Sequence, residues 1–203
     1  MVKEVGYAGH MMKVALPVTL VFAVLLSTLA AWAAPREYRL DPSGSSVAFT
    51  WQFGPDTFRG RMGIARADLT IDFDNVANSR VSVAVDASQA DAGFPFATDA
   101  MRGPRVLDTG THPMITFQSR SVSRTGPGTA RILGDFTVRG VTRPGELTAQ
   151  IFRAAGSDPG DLTNLTIRLT GSLNRSDFGA TGWSDLVGDP VGLDITAMIS
   201  EAG

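Results

Sequence analysis

Few residues of this 203-residue chain have the type and spacing that catalysis or metal binding requires. The sequence contains no cysteine and two histidines, His10 and His112. Without cysteine there are no disulfides, thiolate metal sites or cysteine nucleophiles, and two histidines do not make a metal cluster. His112 is interpreted as an exposed loop residue, because a general base needs partners that the sequence does not identify. The sequence therefore predicts no metal site and no catalytic residue.

The short acidic motifs are typical of turns and strand ends. Residues 177–179 match the Asp-Phe-Gly tripeptide of kinases, but the glycine-rich loop that accompanies it in kinases is absent, which indicates a turn. Residues 72–75 lack the glycine and terminal glutamate of a calcium loop, so they are interpreted as a solvated strand end. Glycoside hydrolysis by a pair of carboxylates stays an open alternative, although the 20 acidic residues show no clustering that would favour it.

Charge and length limit the function and the number of domains further. The net charge is −2 and the isoelectric point is about 5.6, which argues against the basic surface that nucleic-acid binding requires. The length favours one domain, with or without a targeting segment.

The N-terminal residues 1–33 have the pattern of a cleavable secretory signal. Lys3 and Lys13 precede an uncharged, largely apolar stretch over residues 14–29, and small residues follow it. Ala31 and Ala33 fit the −3 and −1 positions, which predicts cleavage between Ala33 and Ala34. The alternative is an uncleaved membrane anchor over residues 14–34, which is just long enough to span a bilayer. The predicted mature domain is residues 34–203, located in the periplasm.

The mature chain alternates apolar and polar residues with a period of two. This pattern predicts antiparallel strands with one buried face. Turn-forming clusters such as those at 126–128 and 158–160 separate the segments. Eight such segments are predicted, at residues 46–53, 65–74, 81–86, 115–117, 132–138, 147–151, 165–174 and 191–199.

Residues 91–113 interrupt this alternation. They are interpreted as a long crossover that contains a short helix near residues 97–107. Eight one-faced antiparallel strands must close into a barrel or stack in two sheets. An eight-stranded barrel is either filled by its own side chains or wide enough for one small ligand. Small residues on the apolar faces, such as Gly134 and Gly171, fit both interpretations, so the pattern alone leaves a packed core and a tunnel open.

Several motifs resemble those of the YceI-like, polyisoprenoid-binding family. The most specific is the segment from Gly134 to Pro144, which is similar to the family signature G-x-L-T-x-x-G-V-T-[KR]-P. Segments that resemble other family motifs follow in the family's order at residues 38–49, 58–62, 101–108, 112–117, 174–179 and 187–191. The resemblance covers residues 38–199. It implies an all-β, extended lipocalin-like antiparallel barrel with an elongated apolar pocket, in an exported protein that binds isoprenoid lipids, quinones or related amphiphiles.

The resemblance identifies the chain as a divergent member of the family. Family members typically carry histidines at three positions that are Gly44, Phe53 and Ala100 in this sequence. Their absence removes polar groups that could meet a ligand headgroup. Arg102 is one remaining cation near the predicted helix; it could pair with a phosphate or carbonyl or form a salt bridge at the helix end.

The resemblance predicts a periplasmic carrier without catalysis, whose partner is an amphiphilic lipid. No cofactor is expected other than a bound isoprenoid lipid or quinone. Transient membrane contact and a homodimer are compatible with this role. Alternatives are an enzyme acting on an apolar substrate through His112, Arg102 or a carboxylate, and an adaptor with a filled barrel. The mouth candidates are Phe53, Phe94, Phe96 and Arg102, and the predicted tunnel lining is Val47, Phe49, Trp51, Leu69, Ile71, Phe73, Val83, Phe117, Phe136, Val138, Leu169 and Ile195.

Overall fold

The computed structural model describes residues 34–203 together with Gly6. The predicted signal segment and the residue on the N-terminal side of its cleavage point, Ala33, lie outside these described residues. Within residues 34–203 the structure has nine strands: β1 (Arg36–Leu40), β2 (Ser46–Phe53), β3 (Asp56–Ile71), β4 (Arg80–Asp91), β5 (Met114–Gly126), β6 (Thr129–Val138), β7 (Val141–Phe152), β8 (Asn164–Asn174) and β9 (Pro190–Glu201). In the described part of the chain, no helix is both long and apolar enough to cross a membrane.

The strands β2 to β9 form a closed, antiparallel, eight-stranded barrel. Each strand pairs with the next along the chain, and β9 pairs with β2 to complete the circle. The additional strand β1 pairs with β3 and β9. These are also the two neighbours of β2, so β1 lies in line with β2 between the same two strands. A turn at residues 41–45 separates β1 from β2, and Ser43 donates its backbone N–H to the Asp41 carboxylate at 2.9 Å. The predicted all-β barrel is confirmed, with one strand more than the alternation indicated.

Strand β3 is longer than predicted and contains β-bulges. The segment at 58–62 and the predicted strand at 65–74 are one continuous strand that ends at Ile71. Its register with β4 shifts between Ile64 and Arg66, and a bulge changes which face of the sheet the following side chains occupy. Ala65, placed on the apolar face by simple alternation, is consequently exposed.

The crossover contains one short α-helix, α1 (Pro95–Arg102). The predicted helix at 97–107 was placed too late and made too long. Proline is favoured in the first turn of a helix, where its missing N–H is not needed, so the helix starts at Pro95. It ends before Gly103, which donates its N–H to the carbonyl oxygens of Asp99 and Ala100. Residues 103–113 then pass along the same end of the barrel to β5.

The signature segment forms the tight hairpin between β6 and β7. Val138 pairs with Val141, so the loop contains only Arg139 and Gly140. Both residues have positive φ angles, 53° and 73°, as a type I′ turn requires. An added Cβ on Gly140 would lie 2.8 Å from Cε1 of His112. His112 is therefore half-buried against this turn, which corrects its interpretation as an exposed loop residue.

Glycines on the inner faces make room for aromatic rings. An added Cβ on Gly134 in β6 would lie 2.5 Å from Cζ of Phe117 in β5. Phe117 in turn packs against Phe136, with ring centroids 4.6 Å apart. Both phenylalanines belong to the largest cluster of buried apolar side chains. Gly134 thus holds the position of a neighbouring ring and does not itself open space inside the barrel.

Candidate functional site

The barrel encloses an apolar cavity of about 590 Å³. Every one of the nine strands contributes lining side chains, as does helix α1. Strand β9 has twelve residues, and at about 3.3 Å per residue and a tilt of about 40° it gives a barrel height of roughly 30 Å. Lining residues occur at both ends of the barrel. One end carries α1 and the loop at 180–188 (the helix end), and the other carries the β5–β6 turn and residues 72–79 (the arginine end).

All twelve side chains predicted to line a tunnel do line this cavity. The apolar residues of each alternating segment are the ones that point into the barrel, because successive side chains point to opposite faces of a strand. That these residues contact a ligand stays a prediction. The twelve are Val47, Phe49, Trp51, Leu69, Ile71, Phe73, Val83, Phe117, Phe136, Val138, Leu169 and Ile195.

An aromatic cluster lies at the helix end. The rings of Trp51 and Phe58 stack with centroids 5.1 Å apart, and Phe94 packs edge-on against Phe58 at 5.4 Å. Trp51 also donates its indole N–H to the carbonyl oxygen of Ala92 at 3.2 Å. These contacts join the beginning of the crossover to the barrel wall, so Phe94 has a packing role in addition to lining the cavity.

Three of the four predicted mouth residues lie on the cavity wall. Phe53, Phe94 and Phe96 line the cavity at the helix end. Phe96 is 75% exposed and Phe53 is 42% exposed, so the cavity reaches the surface there. Arg102 is not among the lining residues; its Nε donates to the carbonyl oxygen of Ala90 at 2.9 Å. The structure therefore gives Arg102 the role of joining the end of α1 to β4.

Arg175, which the sequence reasoning did not single out, lines the helix end and organises its loop. It lies in the 3-10 helix Arg175–Phe178, and its guanidinium donates to four backbone carbonyl oxygens, those of Ala180, Gly182, Val187 and Gly188. Burial lowers the pKa of Arg175 from its ordinary value. The position lies within a segment that resembles the family motif, which is the signal that could have identified it. With its donors on carbonyl groups, this cation has a structural role.

The arginine end has a different chemistry. Arg124 at the end of β5 and Arg153 just after β7 are both exposed and both line the cavity. Arg124 donates Nη2 to the carbonyl oxygen of Phe73, and Arg153 donates Nε to that of Asp161 at 3.1 Å. Sequence alternation did not identify either residue.

Asp72 stabilises the turn that caps this end. The residue is only 4% exposed, which corrects its interpretation as part of a solvated strand end. The carboxylate accepts backbone N–H groups of Asp74 and Asn75 and the side-chain amide of Asn78. The hydrogen bond from the Asn75 backbone, followed by that from Asn78, holds the pKa of Asp72 below its usual range. Asp72 is a turn-forming residue of this loop.

The charged pairs of the barrel wall are on its outer face. Asp194 accepts two hydrogen bonds from Arg168, at 3.0 and 2.9 Å, and one from Arg59 at 2.9 Å. The hydrogen bond from Arg168 is the main reason why the pKa of Asp194 lies below its usual range. By contrast, no aspartate, glutamate or histidine of residues 34–203 lines the cavity. The same residues contain no group of three side chains able to hold a metal ion.

Comparison with known proteins agrees with this geometry. A family model described as the YceI-like domain matches residues 38–199. A UPF0312 protein of Vibrio parahaemolyticus is 30% identical over 149 residues, covering 72% of this chain and 78% of the relative. Protein YceI of Escherichia coli O17:K52:H18 is 28% identical over 193 residues, covering 91% and 94% of the two chains.

Solved structures share the fold. The crystal structure of BcnA from Burkholderia cenocepacia superposes with a TM-score of 0.70 at 18% identity, covering 79% of this chain and 99% of that one. The structure of a polyisoprenoid binding domain from Saccharophagus degradans superposes with a TM-score of 0.59 at 13% identity, covering 82% and 99%. These similarities support the lipocalin-like barrel architecture.

Proposed function

The chain belongs to the YceI-like family, and we propose that it is a periplasmic carrier whose barrel binds the apolar tail of an isoprenoid lipid, quinone or similar amphiphile. The observation that carries this proposal is the cavity of about 590 Å³ lined almost entirely by apolar side chains. Burial of apolar surface in such a cavity is the main source of binding free energy. The polyisoprenoid-binding description of the Saccharophagus degradans neighbour is consistent with it.

The cavity volume limits the size of the tail. A water molecule has a share of liquid volume of about 30 Å³, and a chain carbon with its hydrogens is of similar size. The cavity of about 590 Å³ would then hold a tail of at least about twenty carbons. A longer polyprenyl chain would extend through one end of the barrel, and both ends have exposed lining residues.

The chemistry of the lining favours binding over catalysis. General acid–base catalysis needs a titratable group within hydrogen-bonding distance of the substrate. Asp, Glu and His are absent from the cavity lining contributed by the described residues, and neither His112 nor Arg102 is part of it. The open cavity likewise favours a ligand-binding role over an adaptor with a filled barrel. We therefore propose that the protein has no catalytic activity.

A chain-length series tests the proposal. Each buried methylene contributes about 0.8 kcal/mol, or roughly a fourfold gain in affinity. For linear alcohols measured by displacement of a fluorescent probe, we expect affinity to rise steeply with length up to at least about twenty carbons. Native mass spectrometry of the protein purified from its periplasm should show a bound lipid. An empty protein that also fails to bind any member of the series would contradict the proposal.

A matched pair of variants locates the binding surface. Leu169 lines the cavity, and the next residue of β8, Thr170, is exposed on the outer face. Leu169→Arg introduces a charge into the apolar cavity, so we expect it to abolish uptake, whereas Thr170→Arg should bind as the wild type does. Phe136→Asp should also abolish uptake. Unchanged binding by Leu169→Arg would show that the ligand does not occupy the cavity.

Export, membrane contact and dimerisation are part of the proposal. Cleavage before Ala34 is tested by N-terminal sequencing of the exported protein. For membrane contact, the large apolar side chains exposed at the helix end are Phe53, Phe96, Met114 and Leu186. We expect Phe96→Ser to reduce co-sedimentation with lipid vesicles relative to the wild type. A homodimer would be detected by sedimentation velocity.

A further inference from the structure

We propose that the arginine end of the cavity binds an anionic headgroup, a carboxylate or a phosphate, through Arg124 and Arg153, while the apolar tail extends toward the helix end. This inference rests on the proposed function and adds to it the class of headgroup and the direction in which the ligand lies. The supporting observation is that the two ends of one cavity differ: exposed arginines line one end, and exposed aromatic rings line the other.

Both arginines are brought to the rim by strand geometry. Arg153 continues the inward series of β7, in which Leu147, Ala149 and Ile151 line the cavity. Arg124 reaches the inner face because the register of β5 with β6 shifts between Ser119 and Ser121. Before this bulge the inward residues of β5 include Phe117, and after it they are Val122 and Arg124. The two cations therefore lie on the section of the wall formed by β5, β6 and β7. Through Ala130, Arg124 is level with Ala149, and Arg153 lies four residues further along the chain toward the rim.

The guanidinium groups have donors available. Arg124 uses one hydrogen bond, to the Phe73 carbonyl, and Arg153 uses one, to the Asp161 carbonyl. Neither is within ion-pair distance of a carboxylate among the described residues, although Arg153 is near enough to Asp161 to interact with its charge. The Asp161 carboxylate itself accepts the backbone N–H of Thr163 at 2.8 Å. A planar guanidinium with free N–H groups matches the geometry of carboxylate and phosphate oxygens.

Of the described residues, Arg175 is the one cation that lines the cavity at the helix end. Its donors are on four backbone carbonyl oxygens. Arg105 is also at that end, but its guanidinium stacks over the Trp183 ring at 4.6 Å and it does not line the cavity. Arg102 is bonded to Ala90 and lies off the cavity wall. The other side chains at that end include the exposed aromatic rings of Phe53 and Phe96. An anionic amphiphile therefore finds its charge partners at the arginine end and apolar contacts along the rest of the cavity.

The test compares two probes that have the same tail and different headgroups, oleate and oleyl alcohol. Arg124→Gln and Arg153→Gln should each weaken oleate binding about fivefold, a modest loss because both groups are solvent-exposed. Binding of oleyl alcohol should be unchanged in both variants. The control is Arg131→Gln in β6, an exposed arginine that pairs with Glu146 at 3.1 Å and does not line the cavity; it should bind both probes as the wild type does.

The outcomes separate this inference from the proposed function. If wild-type protein binds neither probe, the proposed function itself fails. If both probes bind and the arginine variants bind oleate as the wild type does, or lose both probes equally, only the headgroup inference is overturned. Inorganic phosphate serves as a third probe: binding as tight as that of oleate, lost in the same variants, would identify a site for free anions and also overturn the inference.

Discussion

Replacing Gly134 by alanine tests whether the inner glycines exist to make room for neighbouring rings. In the structure, an added Cβ would lie 2.5 Å from Cζ of Phe117 and 2.5 Å from the backbone oxygen of Gln118. The Phe117 ring already packs against Phe136 at 4.6 Å, so it cannot retreat without disturbing a second ring. The backbone oxygen belongs to the β5–β6 ladder, in which Ser119 pairs with Gly134.

The expected cost follows from these contacts. Overpacking a core by one methyl group costs about 1–3 kcal/mol, and the lower backbone entropy of unfolded alanine offsets about 0.5–1 kcal/mol of that. We therefore expect Gly134→Ala to lower the free energy of unfolding by about 1–2 kcal/mol. For a domain of this size the melting temperature should fall by about 2–8 °C.

The measurement is urea and thermal unfolding followed by circular dichroism, with Gly63→Ala as the control. An added Cβ on Gly63 in β3 would meet no atom within 4 Å, so this variant should be as stable as the wild type or slightly more stable. In the Gly134→Ala background, Phe117→Leu should cost less than it does in the wild type, because it removes the ring that clashes. The reasoning would be refuted if Gly134→Ala and Gly63→Ala had equal stability.

Three further substitutions test other parts of the structure. Asp72 has a folded-state pKa below its unfolded value, so its stabilising contribution is present above about pH 4 and is lost as the pH falls through the folded pKa. Between about pH 5 and about pH 3, roughly one unit above and below the unfolded pKa of an aspartate, the melting temperature of Asp72→Asn should therefore fall less than that of the wild type. Gly140→Ala should lower the free energy of unfolding by about 1–2 kcal/mol, since it places a side chain at positive φ against His112; equal chemical denaturation midpoints would contradict this. Arg175→Met should cost about 3 kcal/mol in urea unfolding because it leaves backbone carbonyl oxygens without their donor, and a loss below about 1 kcal/mol would show that water replaces the guanidinium.

Alternation in the sequence predicted the barrel wall well. Val81, Val83 and Val85 all line the cavity, as the period of two indicated. Alternation is informative here because the inside of the barrel is apolar and the outside faces water, so the order of apolar and polar residues in each strand indicates which side chains point inward. It failed for β1, whose five residues are too few and too polar to show a pattern, and it underestimated β3 and β5, where bulges break the period.

The candidate site was predicted less completely than the wall. Apolar lining residues were identified, but Arg124, Arg153 and Arg175 were not. Arg153 keeps the inward parity of Leu147, Ala149 and Ile151, but the alternation was used to place apolar residues alone. Arg124 follows a bulge and Arg175 lies outside the strands, so neither has a periodic signal. Arg102 was singled out from its place near the helix, and the structure shows that its guanidinium bonds to a backbone carbonyl instead of facing the cavity. Which atoms a long side chain can reach depends on the segments folded around it.

By itself, the sequence determined the strand class, the apolar face of each long strand and the family signature around Gly140. These properties are local: they depend on the period of the chain and on the few conformations that a two-residue turn allows. Tertiary structure decided the closure of β9 on β2, the survival of an open cavity and the chemistry of its two ends. Arg124 shows the physical reason most clearly. Its side chain faces the cavity only because β5 gains one residue against β6 between Ser119 and Ser121, and register between two strands is a property of their pairing, not of either strand alone.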